Sequence, residues 1–283
     1  MDKDIKDMNE IKEKREGRDE HIIVGICGEI GGCIREYLEG VGVGKIMGID
    51  KKEGWREEEV REHYKNNNGN GEGWKGVRIM HVCIPYVIGG GFEGEIRGYM
   101  DKYVSEYVII YSTVKPGVSD GLGENVVHSP VEGRHPDLIG GFRTFRRMIG
   151  GKMSREVGDI YRGWGMEVEE YERGIITELG KLLSTTRYGI GIIFAKVEEE
   201  MCKGYGIKYE EVVLKYQRMY NDGYKKMGEE RFMQSLLVPP DNGCGGHCVV
   251  PNAVILSKVS DDGFIGRLSK FNDIGEDGKR KDI

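Results

Sequence analysis

The chain has 283 residues, 38% of them hydrophobic, and a formal net charge of −6. This length and hydrophobic content allow one large domain or two smaller ones, each with its own core. The acidic balance argues against a nucleic-acid-binding surface, which usually needs a basic patch, and no apolar run approaches the roughly 20 residues of a bilayer-spanning helix. We therefore expect a soluble protein that binds neither nucleic acid nor a membrane.

Residues 1–20 are charged throughout and contain no apolar segment, so they predict a solvated arm rather than a signal peptide. The chain contains six cysteines. Without a secretory signal, they are expected to be reduced thiols in the cytoplasm. Cys27 and Cys83 lie in apolar, strand-like runs, where a thiol behaves as a small hydrophobic group.

The first structured region, residues 21–50, has the order strand, glycine turn, helix, strand and acid. The apolar run 21–27 is typical of a buried parallel strand, and the second run ends at Asp50. This order is that of a dinucleotide-binding unit. Asp50 follows Gly28 by 22 residues, close to the spacing of about 20 for the carboxylate that binds a ribose hydroxyl.

The glycine fingerprint of that unit is imperfect. The pattern G-x-G-x-x-G, aligned on Gly28 and Gly31, requires glycine at position 26, where the chain has Ile26. Gly25 is adjacent, which allows a turn shifted by one residue. With 45 glycines in the chain, the alternative is an ordinary strand, turn and helix.

Strand-like and helix-like segments alternate up to residue 173. The strand-like segments are 77–86, 107–117, 125–130 and 166–171, and the helix-like ones are 92–104 and 154–165. This alternation predicts an α/β fold with a Rossmann-type, mostly parallel sheet. From Gly174 a helical pattern of about 30 residues begins, a second helix follows over 209–228, and no strand signal remains.

Four motifs stand in order along the chain: GICGEIG with Asp50, STVKPG (112–117), ELGKLLSTT (178–186) and GCGGHCVVPN (243–252). Their order resembles the UDP-glucose/GDP-mannose dehydrogenase family, the NAD-dependent nucleotide-sugar 6-dehydrogenases, over about residues 21–260. The histidine before the last cysteine is typical of the UDP-N-acetylmannosamine dehydrogenase branch. In the family a further α/β domain, which binds the nucleotide of the sugar donor, usually follows, and we expect this chain to lack it.

The resemblance implies that NAD accepts two hydrides while a primary alcohol becomes a carboxylate. A thiolate would capture the intermediate aldehyde as a thiohemiacetal, and the second oxidation would leave a thioester that water cleaves. By resemblance, Cys248 is the nucleophile, and Lys181 supplies positive charge at the reacting oxygen. Thr113 would position water beside the nicotinamide, and Glu132 would activate it.

The family pattern is altered at three positions. Thr185 stands where the family usually has asparagine, Asn252 stands where it has an acid, and Val131 separates Glu132 from the preceding proline. We keep Thr185 and Asn252 as candidate catalytic positions.

The predicted cofactor contacts are Gly28, Glu29, Ile30, Gly31, Asp50, Pro85, Ser112 and Thr113. The predicted substrate contacts are Arg134, His135, Lys181 and His247.

The GCGGHC segment has other interpretations. Cys244, His247 and Cys248 could bind a metal, but a structural zinc site needs four ligands and no second pair stands at ligand spacing, so no metal is expected. Cys244 and Cys248 could form a redox pair, although C-x-x-C is the usual spacing. The segment could also be a glycine turn with incidental thiols. Lys181 could lie on an exposed helix face and pair with Glu178.

We expect four segments: a charged arm (1–20), a Rossmann NAD-binding domain (21–173), a helical domain with the cysteine loop (174–265) and a tail (266–283). The active site should lie between the two domains, with NAD at the carboxyl ends of the strands. The resemblance implies a homodimer formed through helix 174–204. The alternatives are a β-hydroxyacid dehydrogenase, which transfers one hydride without a cysteine, and a catalytically degenerate NAD-binding protein.

Overall fold

The computed structural model describes residues 20–51, 77–133, 137–240, 248–260 and 263. The chain divides into two compact units at Lys181. Unit 1 (Met1–Lys181) holds an α/β sheet, and unit 2 (Leu182–Ile283) is helical in its described part.

The described residues of unit 1 form a seven-stranded sheet in the order β2-β1-β3-β4-β5-β6-β7. The strands are β1 (His21–Val24), β2 (Ile46–Ile49), β3 (Val77–Val82), β4 (Ser105–Ile110), β5 (Val126–His128), β6 (Arg147–Gly150) and β7 (Val168–Tyr171). Strands β1 to β5 are parallel, whereas β6 is antiparallel to β5 and parallel to β7. The predicted α/β class with a mostly parallel sheet is confirmed.

Helices connect most of these strands. They are α1 (Glu29–Val41), α2 (Phe92–Lys102), α3 (Val118–Leu122), α4 (Leu138–Thr144), α5 (Ser154–Gly163) and the start of α6 (Gly174–Gly204). Both faces of the sheet are covered, so successive strand residues enter two separate cores. Ile22 and Val24 pack in one core, and Ile23 packs in the other. This double burial explains the continuous apolar runs in the sequence.

Two details of the sheet differ from the sequence predictions. The strand predicted over 21–27 ends at Val24, so Cys27 lies half-buried in the turn instead of in a strand. Strand β6 was not predicted at all, because RMIG begins with a charged residue and is too short to show a period. It joins β5 by a single pair of residues, His128 and Gly150.

Unit 2 continues α6 to Gly204, and a π-helical turn (Glu210–Leu214) then leads into α7 (Lys215–Lys226). The short 3₁₀ helix Glu230–Phe232 and α8 (Val249–Val259) follow. The described residues of unit 2 contain no strand, as the sequence indicated. No helix in the described part of the chain is both long and apolar enough to cross a membrane.

The turn between β1 and α1 depends on two glycines that approach each other closely. Gly25 has a φ of +88°, and a Cβ there would lie 2.9 Å from the carbonyl oxygen of Cys83. A Cβ on Gly31 would lie 2.1 Å from the carbonyl oxygen of Gly25. The turn is therefore shifted by one residue, with its glycines at 25, 28 and 31, and the Ile26 side chain is buried in the core.

This close approach predicts that Gly31→Ala destabilises the protein by roughly 1–3 kcal/mol, because the new methyl group overlaps backbone that cannot move aside. Gly32→Ala is the matched control in the same helix. A Cβ there meets no atom closer than 4.0 Å, so helix propensity should raise the free energy of unfolding by up to about 1 kcal/mol. Urea denaturation measures both variants. Equal stabilities would contradict the close packing of α1 on the turn.

Candidate functional site

A cleft of about 240 Å³ opens at the carboxyl ends of β1, β2 and β3. The chain order reverses here, since β1 lies between β2 and β3. Ligands of doubly wound sheets bind at such switch points. Gly28, Asp50 and Pro85, three of the predicted cofactor contacts, line the cleft.

Asp50 lies at the end of β2, and its Oδ2 accepts a hydrogen bond of 2.8 Å from the backbone N–H of Cys27. The carboxylate is thereby held across the glycine turn at the mouth of the cleft. Glu29 and Ile30 form the first turn of α1 and are exposed and half-buried, respectively. Gly31 is buried beneath the turn.

The STVKPG segment continues β4 at the same edge of the sheet. Ser112 is buried, and its hydroxyl donates a hydrogen bond of 2.5 Å to the carbonyl oxygen of Ile84. Thr113 follows and is half-buried. The cofactor roles of these two residues stay predictions.

Lys181 and Glu132 are brought together from positions 49 residues apart in the chain. Lys181 Nζ lies 3.0 Å from a carboxylate oxygen of Glu132 and donates a 2.7 Å hydrogen bond to the carbonyl oxygen of Val131. The Lys181 side chain is only 14% exposed, compared with 35% for Glu132. The side chain of Val131 is buried. Its carbonyl oxygen and the carboxylate of Glu132 both face the Lys181 ammonium group.

Glu178 is a buried carboxylate whose role the sequence analysis missed. It accepts hydrogen bonds from the backbone N–H groups of Gly117 (2.5 Å) and Ser119 (2.8 Å) and from the Ser119 hydroxyl (2.7 Å). These bonds cap the short helix α3 and tie α6 to the loop that follows Thr113. Burial raises the pKa of Glu178, although the hydrogen bonds from Ser119 and Gly117 counteract it.

A sequence signal for Glu178 did exist. Residues three apart share a helix face, so an inward-facing Lys181 implies an inward-facing Glu178. Glu178 was predicted only as an ion-pair partner of the lysine, whereas its carboxylate accepts hydrogen bonds from backbone and hydroxyl donors at the N-terminus of α3.

His128, the last residue of β5, is fully buried against the Ser112 backbone and α6. Its Nε2 is 3.2 Å from the carbonyl oxygen of Ser112, and its Nδ1 is 2.8 Å from the Thr177 hydroxyl. Burial lowers the pKa of His128 to about 3, with a further lowering by the charges of Lys181 and Arg147. The imidazole is therefore neutral near pH 7, and both of its nitrogens are occupied within the protein.

In unit 2, Cys248 is exposed and stands at the N-cap position of α8. Asn252 lies one turn later and is buried, and its Nδ2 has no hydrogen-bond partner among the described residues. Thr185 is half-buried in α6. Four of the residues considered in the sequence analysis lie outside the described part of the chain: Arg134, His135, Cys244 and His247.

No group of three or more histidine, cysteine, aspartate or glutamate side chains that could hold a metal ion occurs within the described ranges.

No protein-family model and no curated protein sequence matches the chain. Among solved structures, the UDP-D-ManNAc dehydrogenase of Pyrococcus horikoshii is similar, with 18% identity and a TM-score of 0.67 over 90% of this chain and 68% of that chain. The UDP-N-acetyl-mannosamine dehydrogenase of Staphylococcus aureus has 16% identity and a TM-score of 0.61 over the same shares.

A second group of solved structures has the same architecture. The 3-hydroxyisobutyrate dehydrogenase of Mycobacterium tuberculosis is 11% identical, with a TM-score of 0.58 over 89% of this chain and 91% of that chain. At such identities the similarity establishes a shared fold. The chain therefore has the fold found both in nucleotide-sugar dehydrogenases and in hydroxyacid dehydrogenases.

Proposed function

We propose that the protein is an NAD-dependent dehydrogenase, related to the nucleotide-sugar dehydrogenases, that oxidises a primary alcohol of a sugar nucleotide or a similar substrate to a carboxylate. The observation that carries this proposal is the pairing of Lys181 with Glu132. Glu132 follows β5, so the pair lies at the same edge of the parallel sheet as the cleft that contains Asp50. A cleft at the switch point of the sheet and a lysine–glutamate pair thus share one edge.

The cleft residues fit NAD. The N-terminus of α1 presents backbone N–H groups and the positive end of the helix dipole, which favour a pyrophosphate. Gly25 and Gly28 line the cleft without a side chain. Asp50 would accept hydrogen bonds from a ribose and repel the 2′-phosphate of NADP. When bound, the cofactor supplies the hydride acceptor.

The Lys181–Glu132 pair would act on the alcohol and on water. As a hydride leaves the carbon, the hydroxyl proton must also leave, and the ammonium group of Lys181 stabilises the negative charge on the oxygen. The carboxylate of Glu132 is placed to accept a proton from the alcohol or from an attacking water. Glu178 and His128 support the pair by anchoring α6 and β5 around it.

Cys248 would supply the step that carries an aldehyde on to a carboxylate. The thiol adds to the aldehyde carbon, and the thiohemiacetal loses a second hydride to give a thioester that water cleaves. Overall, one alcohol, two NAD⁺ and one water give one carboxylate, two NADH and three protons. The N-terminus of α8, where Cys248 stands, favours the thiolate form that this addition needs.

A single hydride transfer to NAD, as in a β-hydroxyacid dehydrogenase, is the second candidate. It requires the lysine and the cofactor cleft but no thiol, and both features lie within unit 1. The similarity to 3-hydroxyisobutyrate dehydrogenase over 91% of that chain favours it.

NADH binding tests the cofactor assignment. We expect the wild type to bind NADH at least about tenfold more tightly than NADPH, and Asp50→Asn to remove most of this preference, about 1.4 kcal/mol, because the neutral amide no longer repels the 2′-phosphate. Fluorescence titration measures both affinities. Asp101→Asn, an exposed acid at the end of α2, should behave as wild type. Absence of NADH binding to the wild type would refute the proposal.

The number of NADH molecules formed per substrate separates the two candidates. With UDP-glucose, UDP-N-acetylmannosamine or GDP-mannose, we expect two NADH per sugar in the wild type. For Cys248→Ser we expect at most one, with aldehyde in place of acid and unchanged NADH affinity. One NADH per 3-hydroxyacid, insensitive to Cys248→Ser, would support the second candidate. Cofactor binding without turnover of any substrate would leave only an NAD-binding protein.

We also propose that the protein forms a homodimer through the unit 2 part of α6. Leu183, Phe194, Val197 and Met201 are 46%, 62%, 41% and 60% exposed. Their spacings of 11, 3 and 4 residues place them on one helix face. Such a stripe of exposed apolar side chains is typical of a surface that packs against another helix, and a second copy of the same helix satisfies it by symmetry.

Sedimentation velocity tests the dimer. The wild type should sediment as a dimer, and the double variant Phe194→Glu, Met201→Glu should sediment as a monomer, because two buried carboxylates per chain would lack partners. Lys203→Glu changes the charge of an exposed residue on the opposite face of the helix and should leave the dimer intact. A monomeric wild type at micromolar concentration would count against this proposal.

A further inference from the structure

Arg147, the first residue of β6, is a buried cation that forms no ion pair with a carboxylate in the described part of the chain. Its side chain is 1% exposed, and within the described residues no acid lies at salt-bridge distance. Its Nη2 donates to the carbonyl oxygen of Ser129 (3.0 Å), to the Ser129 hydroxyl (3.2 Å) and to the carbonyl oxygen of Pro130 (2.6 Å). The guanidinium carbon lies 4.3 Å from the centre of the Phe142 ring.

The surroundings of this cation are polar but neutral. The hydroxyls of Tyr111 and Tyr161 are 2.6 Å apart, and the hydroxyl of Tyr111 is 3.0 Å from His81 Nδ1. Burial raises the pKa of Tyr161, against the lowering effect of the Arg147 charge. Burial lowers the pKa of His81 well below its usual value. Neither Tyr111 nor Tyr161 therefore supplies a phenolate that would compensate the guanidinium.

A buried, unneutralised arginine such as Arg147 is not expected to add to the free energy of unfolding. Removing a guanidinium from water carries a large desolvation cost, and buried charges are often replaced by apolar groups without loss of stability. Here Nε and Nη1 are also buried without a hydrogen-bond partner in the described part of the chain. The three bonds made by Nη2 are what distinguish this side chain from an apolar one.

Those bonds hold the two residues that directly precede the partners of Lys181. Ser129 and Pro130 lead into Val131, whose carbonyl accepts from Lys181 Nζ, and into Glu132, whose carboxylate pairs with it. The sheet ladder gives little support at this point, since β5 and β6 share a single residue pair. The side chain of Arg147 is therefore a principal link between β6 and the segment after β5.

We propose that Arg147 is a positioning residue for the active site. It fixes the backbone of residues 129–130 and thereby sets the distance between the Lys181 ammonium group and the Glu132 carboxylate. This inference rests on the proposed function for its catalytic consequence, whereas its geometric part concerns the lysine–glutamate pair alone.

The test compares Arg147→Met, which removes the donors, with Arg147→Lys, which keeps a charge but loses the planar fork. Arg146→Met is the matched control, because the neighbouring Arg146 is exposed and pairs only with the surface residues Glu167 and Glu169 in the described structure. The first readout is acetylation of Lys181 by limiting acetic anhydride, measured by peptide mass spectrometry relative to the exposed Lys152.

We expect Arg147→Met to accelerate acetylation of Lys181 at least about fivefold, Arg147→Lys to have a smaller effect, and Arg146→Met to have none. The second readout is kinetic. The kcat of Arg147→Met should fall by roughly 10²-fold, as a displacement of about 1 Å can cause, while the Kd for NADH stays unchanged because the cleft lies at β1 to β3. Thermal melting shows which variants fold. If Arg147→Met does not fold, the comparison of Arg147→Lys with the wild type decides whether Arg147 positions Lys181.

Unchanged Lys181 acetylation in a folded Arg147 variant would overturn the positioning role, whatever the activity. Equal loss of NADH affinity and kcat would also overturn it, since that pattern indicates general destabilisation. If the wild type has no dehydrogenase activity, the proposed function fails, and a faster acetylation of Lys181 in the variants still supports the geometric part.

Discussion

Parallel pairing of β1 to β5 is the constraint on which the rest of unit 1 depends. Because these strands run in one direction, their carboxyl ends meet at one edge of the sheet. The segments that follow β1, β2, β4 and β5 carry the glycine turn, Asp50, Thr113 and Glu132. Each segment is remote from the others in sequence, and the shared edge is what assembles them.

The long helix α6 completes this edge through its first two turns. Thr177 contacts His128, Glu178 binds the N-terminus of α3, and Lys181 contacts Val131 and Glu132. Three side chains of one helix thus connect to three separate segments of the sheet edge. The charges there are paired or bound by backbone donors, which offsets the cost of removing them from water.

Two chemistries are compatible with this arrangement, and they share most of their machinery. Both need a dinucleotide at the strand ends and a cation beside the reacting oxygen. They differ in whether a thiol retains the aldehyde for a second oxidation. In the function proposed here, the cleft at Asp50 and the Lys181–Glu132 pair would serve either reaction, and Cys248 would distinguish the two reactions.

The fold class, the long helix α6 and several candidate site residues could be predicted from the sequence, because each depends on a pattern of neighbouring residues. Double burial of strands produces continuous apolar runs, and a long helix has a repeating pattern, so the α/β class and α6 were accessible from the residues alone. The spacing of Asp50 after the glycine turn is likewise a local feature. The motif around Lys181 singled out that residue before its partners were known.

Only the tertiary structure decided which residues meet across long sequence separations. Lys181 contacts a carboxylate 49 residues away, and Glu178 contacts the first turn of α3, 59 residues away. Strand β6 and the burial of Arg147 were equally inaccessible, because a charged residue in a short segment predicts exposure unless its hydrogen-bond partners are known. Local patterns record which face of an element is apolar, whereas the pairing of polar groups depends on how the elements pack.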